Sequence, residues 1–127
     1  MAIPDYETVM LPLLRLAANE AELRLREVVE SLATEFMLSE NERAEMLPSG
    51  TAPTFANRVG WARTYLSQAG LLKATRPGYF RITDAGKALL MLNPRRIDVA
   101  LLEGYEAFRA FRARRRAARH VQMQPGV

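Results

Sequence analysis

The sequence predicts a mainly α domain with a small β-hairpin. Three observations predict it. A run from Thr54 to Ala69 carries apolar residues at alternating steps of four and three, the period of a half-buried helix. A hairpin pattern follows at once over Leu71 to Ile82, with a turn at Arg76-Pro77-Gly78. Residues 51–96, which hold both, carry eight basic side chains and one acid, Asp84. A helix followed by a basic two-stranded wing is the arrangement of a winged helix-turn-helix. Here it comes with a short inserted helix and a long C-terminal helix.

The elements follow in order. Val9, Met10, Leu13, Leu14 and Ala17 keep helical spacing, with Asp5 as the cap. Pro12 has no N–H for the Thr8 carbonyl, which predicts a kink or a regular helix beginning near Met10. Asn19-Glu20-Ala21 reads as a connector, and Glu22 to Leu25 alternates like a very short strand. Leu25, Val28, Val29, Leu32 and Phe36 form a second amphipathic stripe. Ser39 and Glu42 make an S-x-x-E capping box, which starts a short helix to about Met46. Leu47-Pro48-Ser49-Gly50 stops it.

In the third main helix Phe55, Val59, Ala62, Leu66 and Ala69 form the core face, with Pro53 in the first turn. Gly70 suits a left-handed C′ position, so that Leu71 touches Leu66 in a Schellman cap. Leu72 and Ala74 alternate with Lys73 and Thr75, and Phe80 and Ile82 with Tyr79 and Arg81, as in two half-buried strands. Pro77 and Gly78 fit a type II turn. Thr83 caps a helix from Asp84 to about Leu92 with Ala85, Ala88, Leu89 and Leu92 inward, and Asn93-Pro94 ends it. Ile97 and Leu102 staple an N-cap at Asp98. One long helix is expected from there, with Leu101, Tyr105 and Phe108 on one stripe. Residues 1–97 are therefore expected to be a winged-helix DNA-binding domain and 98–119 a C-terminal helix with an arginine-rich end, serving as linker or dimerisation element. Residues 120–127 are expected to be a disordered tail.

The net charge of +4 over 127 residues conceals blocks. Residues 1–50 sum to −6, 51–96 to +7, 97–108 to −3 and 109–127 to +6. Such asymmetry builds one positive face that attracts a polyanion. The absence of cysteine excludes disulfides and thiolate metal sites. No apolar run approaches the roughly 18 residues of a membrane span, and Met1 to Asp5 lacks the form of a signal peptide, so a cytoplasmic protein is expected. His120 is the only histidine, and no catalytic set, phosphate loop or metal-spaced cluster assembles around it. The expectation is no enzyme, no metal and no cofactor.

With the core face inward, Asn57, Gly60, Thr64 and Gln68 turn outward. Asn and Gln pair bidentately with adenine, and Thr touches a thymine or 5-methyl group. Gly60 lets the helix backbone approach DNA, and Thr54 sits where a helix N-terminus receives a phosphate. Arg58 and Arg63 flank this face, in reach of phosphate or guanine, with an ion pair to the acidic first half as the alternative for Arg58. Trp61 borders the core stripe and is expected to cover the helix against the wing. On the wing, Lys73, Arg76, Tyr79 and Arg81 are exposed candidates, with Arg76 at the tip best placed for a minor groove or a phosphate. Arg109, Arg112, Arg114, Arg115, Arg116 and Arg119 read as phosphate contacts or as a solubilising linker.

Several separate motifs, in order, resemble the N-terminal domain family of Mrr-type restriction endonucleases. They are Ile3-Pro4-Asp5-Tyr6-Glu7 with Met10-Leu11-Pro12-Leu13-Leu14, and Leu47-Pro48-Ser49-Gly50 with Asn57-Arg58-Val59-Gly60-Trp61-Ala62. Leu66 with Ala69-Gly70-Leu71-Leu72, Phe80-Arg81-Ile82-Thr83 with Gly86, and Asn93-Pro94 with Ile97-Asp98 and Phe108, Phe111-Arg112 continue the match. The resemblance implies a winged-helix module that binds double-stranded DNA, reading methylated targets for a bacterial restriction system. It implies a nuclease domain in cis or in trans; none is expected within this chain. A homodimer through the C-terminal helix is the other expected partner. The competing readings are a protein-interaction module working through Leu101, Tyr105 and Phe108, and a small transcription regulator.

Overall fold

The computed structural model describes residues 3–19 and 21–122. Its centre is α1, Tyr6–Ala18. Asp5 caps it, accepting from the Thr8 amide at 2.7 Å. The helix runs through Pro12 and is already regular at Tyr6, so the later start near Met10 does not occur. Val9, Met10, Leu13, Leu14 and Ala17 are fully buried and Leu11 nearly so. A helix apolar almost all round suits a position surrounded by other elements. α1 lies mainly on α4 (Thr54–Gln68), with α2 (Leu25–Glu35), α5 (Asp84–Met91) and the sheet around it.

The sheet has three antiparallel strands in the order β1 (Leu23–Arg24), β3 (Tyr79–Ile82), β2 (Leu72–Arg76). The short strand seen as a weak alternation thus becomes an edge of the hairpin, pairing Leu23 with Phe80 and Arg24 with Tyr79. The Leu25 amide adds a bond to the Gly78 carbonyl at 2.9 Å. Gly78 takes φ +80°, as the turn requires. Leu72, Phe80 and Ile82 are buried, but Ala74, expected inward, is exposed. The β2–β3 register shifts between Ala74 and Arg76, and past Leu72 the strand has left the core, so alternation no longer reports burial.

α2 buries Val28, Leu32 and Ala33. α3 (Glu40–Ala44) opens on the expected capping box and ends two residues before Met46. Met46 instead bridges Pro53, which stands as the N-cap of α4 and not in its first turn. The Schellman cap is complete: the Leu71 amide donates to Leu66, the Gly70 amide to Ser67, and Gly70 has φ +83°.

Two expectations fail in the last third. In α5, Ala85, Ala88 and Leu92 are exposed, while Gly86 and Leu89 are buried. The helix packs through its glycine: a Cβ there would collide with the Leu71 carbonyl and lie 2.7 Å from Ile82 Cγ1. The single long helix is also two: α6 (Val99–Leu102) and α7 (Glu106–Gln122), separated by a turn at Gly104. Leu102 and Phe108 are both fully buried. On one straight helix, at about 100° per residue, residues six apart point about 120° apart; the break lets both reach the core. The helical backbone continues past the expected boundary at 119 to Gln122; the rest of the expected disordered tail, 123–127, lies outside the described residues.

Candidate nucleic-acid interface

On the outward face of α4, Asn57, Gly60, Trp61, Arg63 and Thr64 line a shallow hollow of about 410 Å³. Gly60 is its floor. Nothing lies within 4 Å of where a Gly60 Cβ would stand, so no packing in this fold calls for glycine there. Glycine inside a helix costs about 0.5–1 kcal/mol against alanine. Arg63 joins the hollow with its Nε buried and without a hydrogen-bond partner. Asn57 and Thr64 are half-buried, and among the described residues neither side chain is tied to another group. Four of the sequence candidates thus meet at one place: Asn57, Gly60, Arg63 and Thr64.

The others go elsewhere. Thr54 is only 6% exposed, so its hydroxyl is closed off from any outside phosphate. Gln68, half-buried, lies one turn beyond the hollow. Arg58 donates from Nη1 to the carbonyls of Ile3 and Pro4, at 2.8 and 3.2 Å. It clasps the N-terminal segment and forms no ion pair among the described residues. Trp61 faces α7 and not the wing-like hairpin. Its ring meets Tyr65 edge-on at 6.0 Å, and the Arg115 guanidinium stands 5.2 Å over it. Tyr65 in turn contacts Tyr6, Phe108 and Phe111.

At the hairpin tip, Arg76 is committed. Its Nη2 donates to Glu22 at 3.0 Å and its guanidinium lies 3.7 Å over the Tyr79 ring. Thr75 donates to the other Glu22 oxygen at 2.6 Å. That hydrogen bond first, and then Arg76, hold the Glu22 carboxyl below the ordinary glutamate range. Tyr79 is half-buried beneath this arrangement. Lys73 and Arg81 are exposed and directly opposite each other across β2 and β3. Neither has an acidic partner among the described residues, and Lys87 and Arg81 line the same hollow beside the end of α1.

Sequence reasoning missed Arg24 and Arg26. They line a larger hollow of about 580 Å³ together with Ala56 of α4 and the turn residues Pro77, Gly78 and Tyr79. The signal was present only in the pairing of β1 with β3, which two residues of alternation are too short to announce. Among the described residues, no group of three or more His, Asp or Glu side chains is placed to hold a metal ion. No described helix is long and apolar enough to cross a membrane.

The Mrr N-terminal domain family matches residues 6–91, which span α1 to α5 and include the hollow on α4. Over 87 residues the chain is 34% identical to a protein of Escherichia coli described as "Type IV methyl-directed restriction enzyme EcoKMrr". The aligned part is 68% of this chain and 28% of that enzyme. No solved structure matches the chain.

Proposed function

The chain belongs to the Mrr N-terminal domain family, and from that premise we propose that it binds double-stranded DNA as the target-reading domain of a modification-dependent restriction system. In this reading the fold is a winged helix. α2 and α4 form the helix-turn-helix pair with α3 inserted between them, the β2–β3 hairpin is the wing, and α4 enters the major groove.

One observation carries the proposal. α4 has a hollow lined by a glycine that the fold does not need, together with Asn57, Arg63 and Thr64, whose side chains have no hydrogen-bond partner among the described residues. A bare helix backbone between an amide, a guanidinium and a hydroxyl suits the edge of a base pair. The Thr64 methyl offers a contact for a 5-methyl group, and the description of the Escherichia coli relative as methyl-directed supports a methylated target. The same relationship supports a partner nuclease, in cis or in trans, and a place in the cytoplasm as parts of this reading. A homodimer through the C-terminal helix has less support, because Phe108 lies wholly within its own core.

The test is fluorescence anisotropy on methylated and unmodified duplexes of one sequence at two salt concentrations. The protein should prefer the methylated duplex and lose affinity steeply with salt. Arg63→Ala should weaken binding by about 1–3 kcal/mol. Unchanged affinity in that variant rules out the α4 hollow as the reading surface.

A further inference from the structure

The richest arginine cluster lies outside the family match, on α7. Contacts with α4 step backward as α7 advances. Phe108 and Phe111 meet Tyr65, and Arg115 then meets Trp61. The two helices therefore run antiparallel, with α7 along the Trp61 side of α4. Ala56, which faces the hairpin turn, lies about 140° around the helix from Trp61. The hollow on α4 is thus bordered by the hairpin on one side and by α7 on the other.

Arg112, Arg115 and Arg119 follow one another at steps of three and four, on the same face as Phe108 and Phe111. Together with Tyr6 and Tyr65 they line a hollow of about 180 Å³. No acid occurs from residue 107 to 122. Arg112 keeps a long contact to Glu103, at 3.7 Å, and Arg115 and Arg119 have no acidic partner among the described residues. Aromatic faces hold two of the three in place, with Arg115 over Trp61 and Phe111 and Arg112 over Phe108. Stacking uses the flat face of a guanidinium and leaves its N–H edge, the part that grips phosphate, available. Three like charges around one hollow repel each other until an anion enters.

We propose that Arg112, Arg115 and Arg119, with Tyr6 and Tyr65 as the wall, form a seat for a backbone phosphate of the duplex, on the flank of α4 opposite the hairpin. It takes the identity of the polyanion from the DNA-binding reading above and adds a second, sequence-independent anchor. α4 reads one groove while α7 fixes the protein's position along the backbone.

The experiment is a salt titration of duplex binding for the wild type and four variants. One phosphate contact contributes about 0.9 to the slope of log affinity against log salt. Arg115→Ala/Arg119→Ala should flatten the slope by about that much, equally on methylated and unmodified duplex, so that the affinity loss between about 50 and 200 mM salt shrinks three- to fourfold. Arg115→Lys/Arg119→Lys, which keeps the charge, should retain most of the slope. Arg114→Ala removes a charge from the far face of α7 and should leave the slope alone. Trp61, the only tryptophan, should change its emission when duplex is added and not when inorganic phosphate is added at matched ionic strength.

A double-alanine slope equal to wild type, or an equal loss in Arg114→Ala, overturns the seat. A Trp61 response to inorganic phosphate with an unchanged DNA slope overturns it in favour of a small phosphoryl ligand. Arg63→Ala, run in parallel, separates the two proposals. Loss of affinity there with an intact slope in the double variant leaves the α4 reading and removes the seat; the reverse leaves the seat and removes the reading. A wild type that binds no duplex removes both.

Discussion

At the tip of the hairpin, Arg76 lies 3.0 Å from Glu22 and 3.7 Å over Tyr79; on α4, the Nε of Arg63 is buried with no partner at all. Both residues belong to the same basic stretch of sequence, and a count of charge treats them alike. The fold does not. Pairing of β1 with β3 delivers an acid from the acidic first half to the hairpin tip, 54 positions away. Among the described residues no acid pairs with Arg63. The electropositive part of the hairpin is therefore its flank, where Lys73 and Arg81 stand opposite each other, and not its tip. A solvent-exposed pair such as Arg76–Glu22 contributes little to stability, because water and salt screen it. Its larger consequence is that the Glu22 carboxylate offsets the Arg76 charge at the tip and occupies one edge of its guanidinium.

The contrast can be broken at several points. The largest effect is expected where the hairpin and the end of α4 are joined. Gly86→Ala drives a methyl group into the Leu71 carbonyl and Ile82, and should cost about 1–3 kcal/mol in a urea midpoint measurement, loosening both regions together. Next, Arg63→Ala and Arg76→Ala compared on one duplex should differ clearly, with the loss confined mainly to Arg63. Equal losses would mean that DNA pulls Arg76 away from Glu22 and that the tip is not neutral in the complex.

Glu22→Gln sharpens the same point from the other side. It releases Arg76, and if the tip lies near the backbone the salt slope should steepen by up to about 0.9. An unchanged slope places the tip away from DNA. The smallest effect is in pH. The Glu22 carboxyl titrates below the ordinary 4.5 when folded, because Thr75 and then Arg76 stabilise its charged form. Its contribution to stability is therefore complete above the unfolded value and fades as pH falls from about 4.5 through the lower folded value. The urea midpoints of wild type and Glu22→Gln should converge over that acid window and differ most at neutral pH.

What was legible in the sequence is what local chemistry decides. Asp5, Ser39 with Glu42, Gly70, Thr83 and Asp98 cap their helices through neighbours three or four positions away, and each was readable. The core face of α4 was readable because its period is long and regular. The failures at α5 and at Arg58 depend on distant partners. The inward face of α5 is set by the need for close approach to Leu71 and Ile82, which selects Gly86, a residue that periodicity counts as nothing. Arg58 was weighed against acids and found two backbone carbonyls. In the candidate site, the outward positions of α4 followed from helical geometry. Which arginines stay uncommitted, and that α7 borders the hollow, did not.

The burial of α1 has a consequence in time. Six of its residues are buried, chiefly against α4, and translation makes α1 first. At roughly 5–20 residues per second, the about fifty residues from Ala18 to the end of α4 take on the order of 3–10 s to appear. Until then, of the described elements that pack on it, a helix apolar on nearly every side has only α2 to lie against. The nascent chain is thus most exposed to aggregation and to chaperones before α4 emerges, so the helix proposed to read DNA is also the one whose arrival first covers the main face of α1.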